Sequence, residues 1–134
     1  MKWILGEVSN EVVKNWNLEE YRNKKIVMYH EAKEHSKDIH LEQYDCEEDY
    51  YFVMDSLKEI IKYPDYVFYD KSKNGLEYYK NVRGNILVAV RVKPGKELRV
   101  KSVYPVKAIK IENRKRKEEQ MKIYNKYVVD VDNS

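Results

Sequence analysis

The sequence predicts an α+β fold, with N-terminal helices packed on one antiparallel sheet of four to five strands and a charged helix at the C-terminal end. Three observations carry that expectation. The pattern before Pro64 is helical, and after it short β-rich runs follow one another. The loops between those later runs are short, so successive strands are expected to be antiparallel neighbours. With 134 residues, 43% of them hydrophobic, the chain can build one core without disulfides or metal. Residues 1–134 are therefore read as a single domain, with a helical lead-in over 1–24, a core over 25–115 and a charged helical tail over 116–134.

Taken in order, "SNEVVKNW" offers Ser9 as the N-cap of a short helix ending near Trp16. Asn17 stands three before Glu20, in capping-box spacing. "KIVMY" (25–29) is a short β-rich run, and "EAKEHSKDIH" after it has helix formers and no Gly or Pro, predicting a helix from about 31 to 40. Asp45 and Glu48 form a second box, and Tyr50, Met54, Leu57, Ile60 and Ile61 keep an apolar stripe up to Pro64. Beyond it, "YVFY" (66–69) and "LEYYK" (76–80) flank a turn. "ILVAVRV" (86–92) and "LRVKSVY" (98–104) flank "KPGKE", and Pro105 interrupts before a further run, "VKAIKI" (106–111). "ENRKRKEEQMKIYNKY" reads as a charged helix, and "VVDVDNS" as frayed or a short edge strand.

Charge is distributed unevenly. Residues 1–65 carry 15 acidic and 9 basic side chains, whereas 66–134 carry 8 acidic and 17 basic, for a net charge of only +3. Within 71–117 the count is 15 basic against 3 acidic, the sequence footprint of a polyanion-binding face, although a solvated lysine-rich face has the same composition. No apolar run is long enough to span a membrane, and no signal-peptide pattern opens the chain. The single Cys46 fits a reducing compartment, so the expected location is the cytoplasm, including that of a cell into which an effector is delivered.

All three histidines, His30, His35 and His40, fall within "YHEAKEHSKDIHLEQY". Spacings of five place successive histidines about 140° apart on a helix, which does not suit metal ligation, and no cysteines stand at ligand spacing. No metal or other cofactor is expected. Acid–base chemistry needs only two groups on either side of one substrate atom, and histidine titrates near neutrality. A solvent-facing histidine in a charged helix is the bland alternative.

An ordered set of segments decides between these readings. The pair His35 and His40, "PDYV", "LEYYK", "NILVAVRV", "VKSVYPV" and "KIENR" together resemble the phage-associated branch of the barnase–EndoU–colicin–RelE (BECR) superfamily, over roughly residues 25 to 115. The resemblance implies a small metal-independent endoribonuclease of toxins and mobile elements. His35 and His40 would then be base and acid. Ser102, where relatives carry threonine, and Tyr104 would hydrogen-bond the scissile phosphate or a histidine, and Lys80 and Arg91 would face the phosphate. Lys107, Lys110, Asn113 and Arg114 would hold flanking phosphates. Tyr78 and Tyr79 alternate in direction, and Tyr79 is assigned to stacking on a base. His30 has no counterpart in the resemblance.

Strand parity supports part of this assignment and obstructs another part. If Ile86, Val88, Val90 and Val92 face the helices, Ala89 and Arg91 face the substrate. Arg99 and Lys101 share one face of the next strand, with Lys101 assigned to substrate. Ser102 and Tyr104 then share parity with the core residues Leu98 and Val100, and must emerge through a twist or bulge near Pro105. The partners implied are RNA, transfer RNA among the candidates, and an acidic inhibitor or immunity protein, with no membrane. A non-catalytic nucleic-acid-binding module and a host-protein-inhibiting module are the competing readings.

Overall fold

The computed structural model describes residues 1–120, in the order β1 (Lys2–Glu7), α1 (Asn10–Trp16), β2 (Lys25–Tyr29), α2 (His30–His40), α3 (Glu47–Asp55), α4 (Leu57–Lys62), β3 (Tyr66–Asp70), β4 (Gly75–Asn81), β5 (Asn85–Arg91), β6 (Glu97–Pro105) and α5 (Ala108–Gln120). The class is α+β as expected, but the sheet has six strands rather than four to five. Their order is β1-β2-β6-β5-β4-β3. It is also mixed: β2 runs parallel to β6, through Lys25↔Glu97 to Val27↔Arg99, while every other pair is antiparallel.

Several local expectations need correction. The lead-in holds a strand, β1, ahead of its helix. Ser9 does cap α1, its side chain accepting from the Val12 N–H at 3.3 Å. Asn17, however, ends that helix in the left-handed region (φ 56°) rather than starting another, a conformation asparagine tolerates better than most residues. The long helix before Pro64 is two, α3 and α4, parted at Ser56. Its N-cap is Cys46, not Asp45, with Glu47, Glu48 and Asp49 favouring the positive end of the dipole. "VKAIKI" is no strand: Ala108 begins α5, and the positions continuing Ile111 at 3 and 4 residues, Arg114 and Lys115, lie against the sheet. Residues 121–134, including "VVDVDNS", lie outside the described residues.

One face of the sheet carries the main core. Leu76, Tyr78, Val88, Val90, Leu98, Val100 and Val103 are all buried, and α1, α3 and α4 lie over them. Trp16 meets Tyr69 edge-on at 6.3 Å, and Gly6 approaches Ile61 so closely that a Cβ there would stand 3.0 Å from its Cγ2. On the opposite face α5 lies over the β3–β4 side, and its Lys110 reaches across to Tyr104 on β6. Ile111 is buried, the Arg114 guanidinium lies 5.7 Å from the Phe68 ring, and Lys115 donates to the Tyr66 hydroxyl at 3.3 Å. Burying one large apolar side chain contributes roughly 1.5–3 kcal/mol, so a few such contacts hold α5 there. The rest of that face opens as a shallow groove at Ala89, Arg91, Lys101 and Tyr104, with Leu87 and Ser102 on it buried.

Candidate active site

The groove owes its lining to one irregularity. Along β5 and β6 the pairs run Leu87↔Tyr104, Val88↔Val103 and Ala89↔Ser102, and then jump to Val90↔Val100 and Arg91↔Arg99. Lys101 is the extra residue, a β-bulge that reverses side-chain parity. Val100 and Val103 therefore both enter the core, while Ser102 and Tyr104 join Ala89 and Arg91 on the open face. The bulge foreseen near Pro105 exists, four residues earlier. Arg91, Lys101, Ser102 and Tyr104 share a hollow of about 120 Å³ with Asp70, Lys73 and Glu77.

The histidines arrive from α2. Pairing between β2 and β6 stops at Val27↔Arg99, and beyond it α2 packs against β6 where β2 left off. Ala32, Ser36 and His40, four apart, are the residues of this helix turned inward: Ser36 is fully buried, and Ala32 and His40 half-buried. The Ser36 hydroxyl accepts the Val103 N–H at 3.1 Å, so one buried hydrogen bond joins the neighbour of His35 to the residue between Ser102 and Tyr104. The rings of His40 and Tyr104 stack at 4.7 Å and 22°. His35 stands edge-on to His40, with ring centroids 6.1 Å apart and planes at 80°. Nδ1 of His40 is buried without a hydrogen-bond partner among the described residues, whereas His35 is exposed. From α5, the Lys110 ammonium lies 3.5 Å from the Tyr104 hydroxyl and 5.4 Å from its ring centre.

The structure therefore clusters His35, His40, Tyr104 and Lys110, and Tyr104 shares its hollow with Arg91, Lys101 and Ser102. It separates others from them. Lys80 pairs with Ile86 and lies on the core-facing side of β4, where its ammonium donates to the Tyr63 carbonyl at 2.7 Å and stands 3.8 Å from Asp65. That makes it a tether for the loop before β3, on the wrong face for a phosphate in the groove. Tyr79 has the right face but is fully buried, its hydroxyl donating to Glu77 at 2.9 Å, so it cannot stack on a base. Burial pushes that phenol far up. Arg114 forms an ion pair with the same Glu77 at 2.9 Å, docking α5 instead of presenting its guanidinium to the groove. Lys107, just before α5, and Asn113, within it, are exposed. His30, at the start of α2, is 3.8 Å from Glu34 and 6.5 Å from the Trp3 ring.

Two contributors escape a reading of the sequence for reactive side chains. Ser36 is one, signalled only by the spacing of Ala32, Ser36 and His40. Glu77 is the other, an acid whose partners Tyr79 and Arg114 fix one wall of the groove. Among the described residues, no three His, Cys, Asp or Glu side chains converge as metal ligands would, and no helix is long and apolar enough to cross a membrane.

A family model described as phage-Barnase-EndoU-ColicinE5/D-RelE like nuclease3 matches residues 3–113. The chain belongs to this nuclease family. The match takes in every strand and α1 to α4, so β1 and the lead-in are part of the BECR-type nuclease unit as well as the segment from 25 onward. It stops six residues into α5, after Asn113 and before Arg114. No curated protein and no solved structure matches the chain.

Proposed function

We propose that this BECR-type nuclease is a metal-independent endoribonuclease that cleaves RNA through the substrate's own 2′-hydroxyl. The observation that carries the reading is the meeting of His35 and His40 with Tyr104 on an open, basic sheet face. Two imidazoles with centroids 6.1 Å apart can both reach the oxygens of one phosphodiester. One takes the 2′ proton as that oxygen attacks phosphorus, and the other protonates the departing 5′ oxygen. His40, with Nδ1 buried, exchanges its proton through Nε2. Arg91 and Lys101 stabilise the charge that develops on the phosphoryl oxygens, and the Ser102 and Tyr104 hydroxyls hydrogen-bond the same group. The products are a 2′,3′-cyclic phosphate and a 5′-hydroxyl end.

In this reading the protein acts as a toxin or mobile-element effector in the cytoplasm, with transfer RNA as a candidate target. An acidic immunity protein restrains it by covering the basic groove. The test is incubation of pure protein with total bacterial RNA in excess chelator. Wild type is expected to give discrete fragments, with His35→Ala and His40→Ala each at least about 10²-fold slower. Absence of cleavage, or cleavage undiminished in both variants, removes the proposal.

A further inference from the structure

The groove does not end at Arg91. That side chain also lines a second, larger hollow of about 480 Å³, formed by the β5–β6 hairpin with Lys93, Lys96 and Arg99. Arg91 and Arg99 are directly opposite each other across the antiparallel pair. Like charges in that arrangement repel, yet no acidic residue separates them on the register. The hairpin adds two more cations on either side of Pro94–Gly95, with Gly95 at φ 146°, a backbone conformation other residues rarely adopt. The tip is anchored as well, since the buried Val92 donates to the Asn74 carbonyl at 2.8 Å.

One acid lines this hollow, Glu97, and its carboxylate is already engaged: it accepts from Lys2 at 3.1 Å and from the Tyr29 hydroxyl, with Arg99 at 3.8 Å. The Arg99 guanidinium lies over the Tyr29 ring, 4.5 Å from its centre, which fixes a flat cation at one wall. Four cations around a concavity whose one acid is already engaged suit a ligand with repeated negative charge. Because β5 carries the chain about 3.4 Å per residue, Arg91 stands only about 7 Å beyond Ala89, the partner of Ser102. One strand can therefore occupy both hollows.

We propose that the hairpin hollow is a second phosphate subsite, binding the backbone of single-stranded RNA next to the cleaved linkage through Lys93, Lys96 and Arg99. This rests on the ribonuclease reading and adds to it a requirement for substrate length. The subsite reads charge and not sequence, since its groups are cationic side chains suited to phosphate oxygens.

The experiment compares a dinucleoside monophosphate with a longer single-stranded oligonucleotide containing the same dinucleotide, using wild type and Lys93→Gln/Lys96→Gln/Arg99→Gln. The variant is expected to lose about tenfold in kcat/KM on the longer RNA, and the salt slope of its binding to flatten by about 2. Its turnover of the dinucleotide, which never reaches the hairpin, should match wild type and so also reports an intact fold. A wild type that cleaves both substrates, with a variant that handles both equally well, overturns the subsite and leaves the ribonuclease reading standing; a hairpin used for an acidic protein partner gives that result. A wild type that cleaves neither overturns the ribonuclease reading.

Discussion

Ser36 illustrates how a residue without reactive chemistry can set the geometry of a centre. Its hydroxyl takes the N–H of Val103 in a fully buried position, between the helix that carries both histidines and the strand that carries Ser102 and Tyr104. Ser36→Ala leaves that N–H without its acceptor, at a cost of about 1–3 kcal/mol visible in denaturant unfolding. It should also lower the cleavage rate under conditions where the variant remains fully folded. At Tyr104 the ring and the hydroxyl separate cleanly. Tyr104→Phe keeps the 4.7 Å stack on His40 and should retain more activity than Tyr104→Ala, which also gives up an aromatic contact of about 0.5–1.5 kcal/mol. Reactive side chains are legible in a sequence because few residue types can do the chemistry, and His35, His40, Ser102 and Tyr104 do gather. Lys80 and Tyr79 show the limit. Both are ordinary site residues by type, but the Lys80 partner, the Tyr63 carbonyl, is distant in sequence, and the burial of Tyr79 depends on packing that leaves no local trace.

Among the elements, β6 matters most, because its bulge decides which side chains the groove receives. Deleting Lys101 removes the extra residue and restores strict alternation, so that Ser102 follows Val100 directly, stays opposite Ala89 on the open face, and leaves Val103 in the core. The deletion is therefore expected to keep the fold and to lose only what the Lys101 cation adds to cleavage; a large drop in melting temperature, as Val103 left the core, would contradict this account of the strand. At the other end of the sheet, Gly6 lets β1 lie against α4. Gly6→Ala should cost about 1–3 kcal/mol in denaturant unfolding, as Ile61 is made to shift. The strands from β3 to β6 were readable because short turns separate them. β1 was not: "WIL" is a continuous apolar run, and the register shift between Ile4 and Gly6 breaks what alternation there is. "VKAIKI" was ambiguous for a related reason, since six residues fit either period and only the contacts of Ile111, Arg114 and Lys115 with the sheet select the helix.

Across the whole molecule, tyrosine does much of the packing. Tyr44, Tyr50 and Tyr79 are buried, and burial raises all three phenols, Tyr50 to about 12. A phenol that ionises more readily when unfolded stabilises the native state fully below the unfolded value near 10, and that contribution is lost as pH rises towards the folded one. Stability should therefore fall between about pH 10 and 12, with part of the tyrosinate absorbance appearing in step with unfolding; complete, non-cooperative ionisation in a still-folded protein contradicts it. The charge asymmetry of the sequence also has a meaning at this scale, because β5, β6 and the turn between them bring their basic residues to one face. The central claim is that this face lets two histidines work one RNA phosphate, and the chemistry of the cut ends tests it most directly. Fragments released in excess chelator are predicted to carry 2′,3′-cyclic phosphates and 5′-hydroxyls. Fragments with 5′-phosphates and 3′-hydroxyls would mean that water, and not the 2′-oxygen, attacks phosphorus, and would contradict the account.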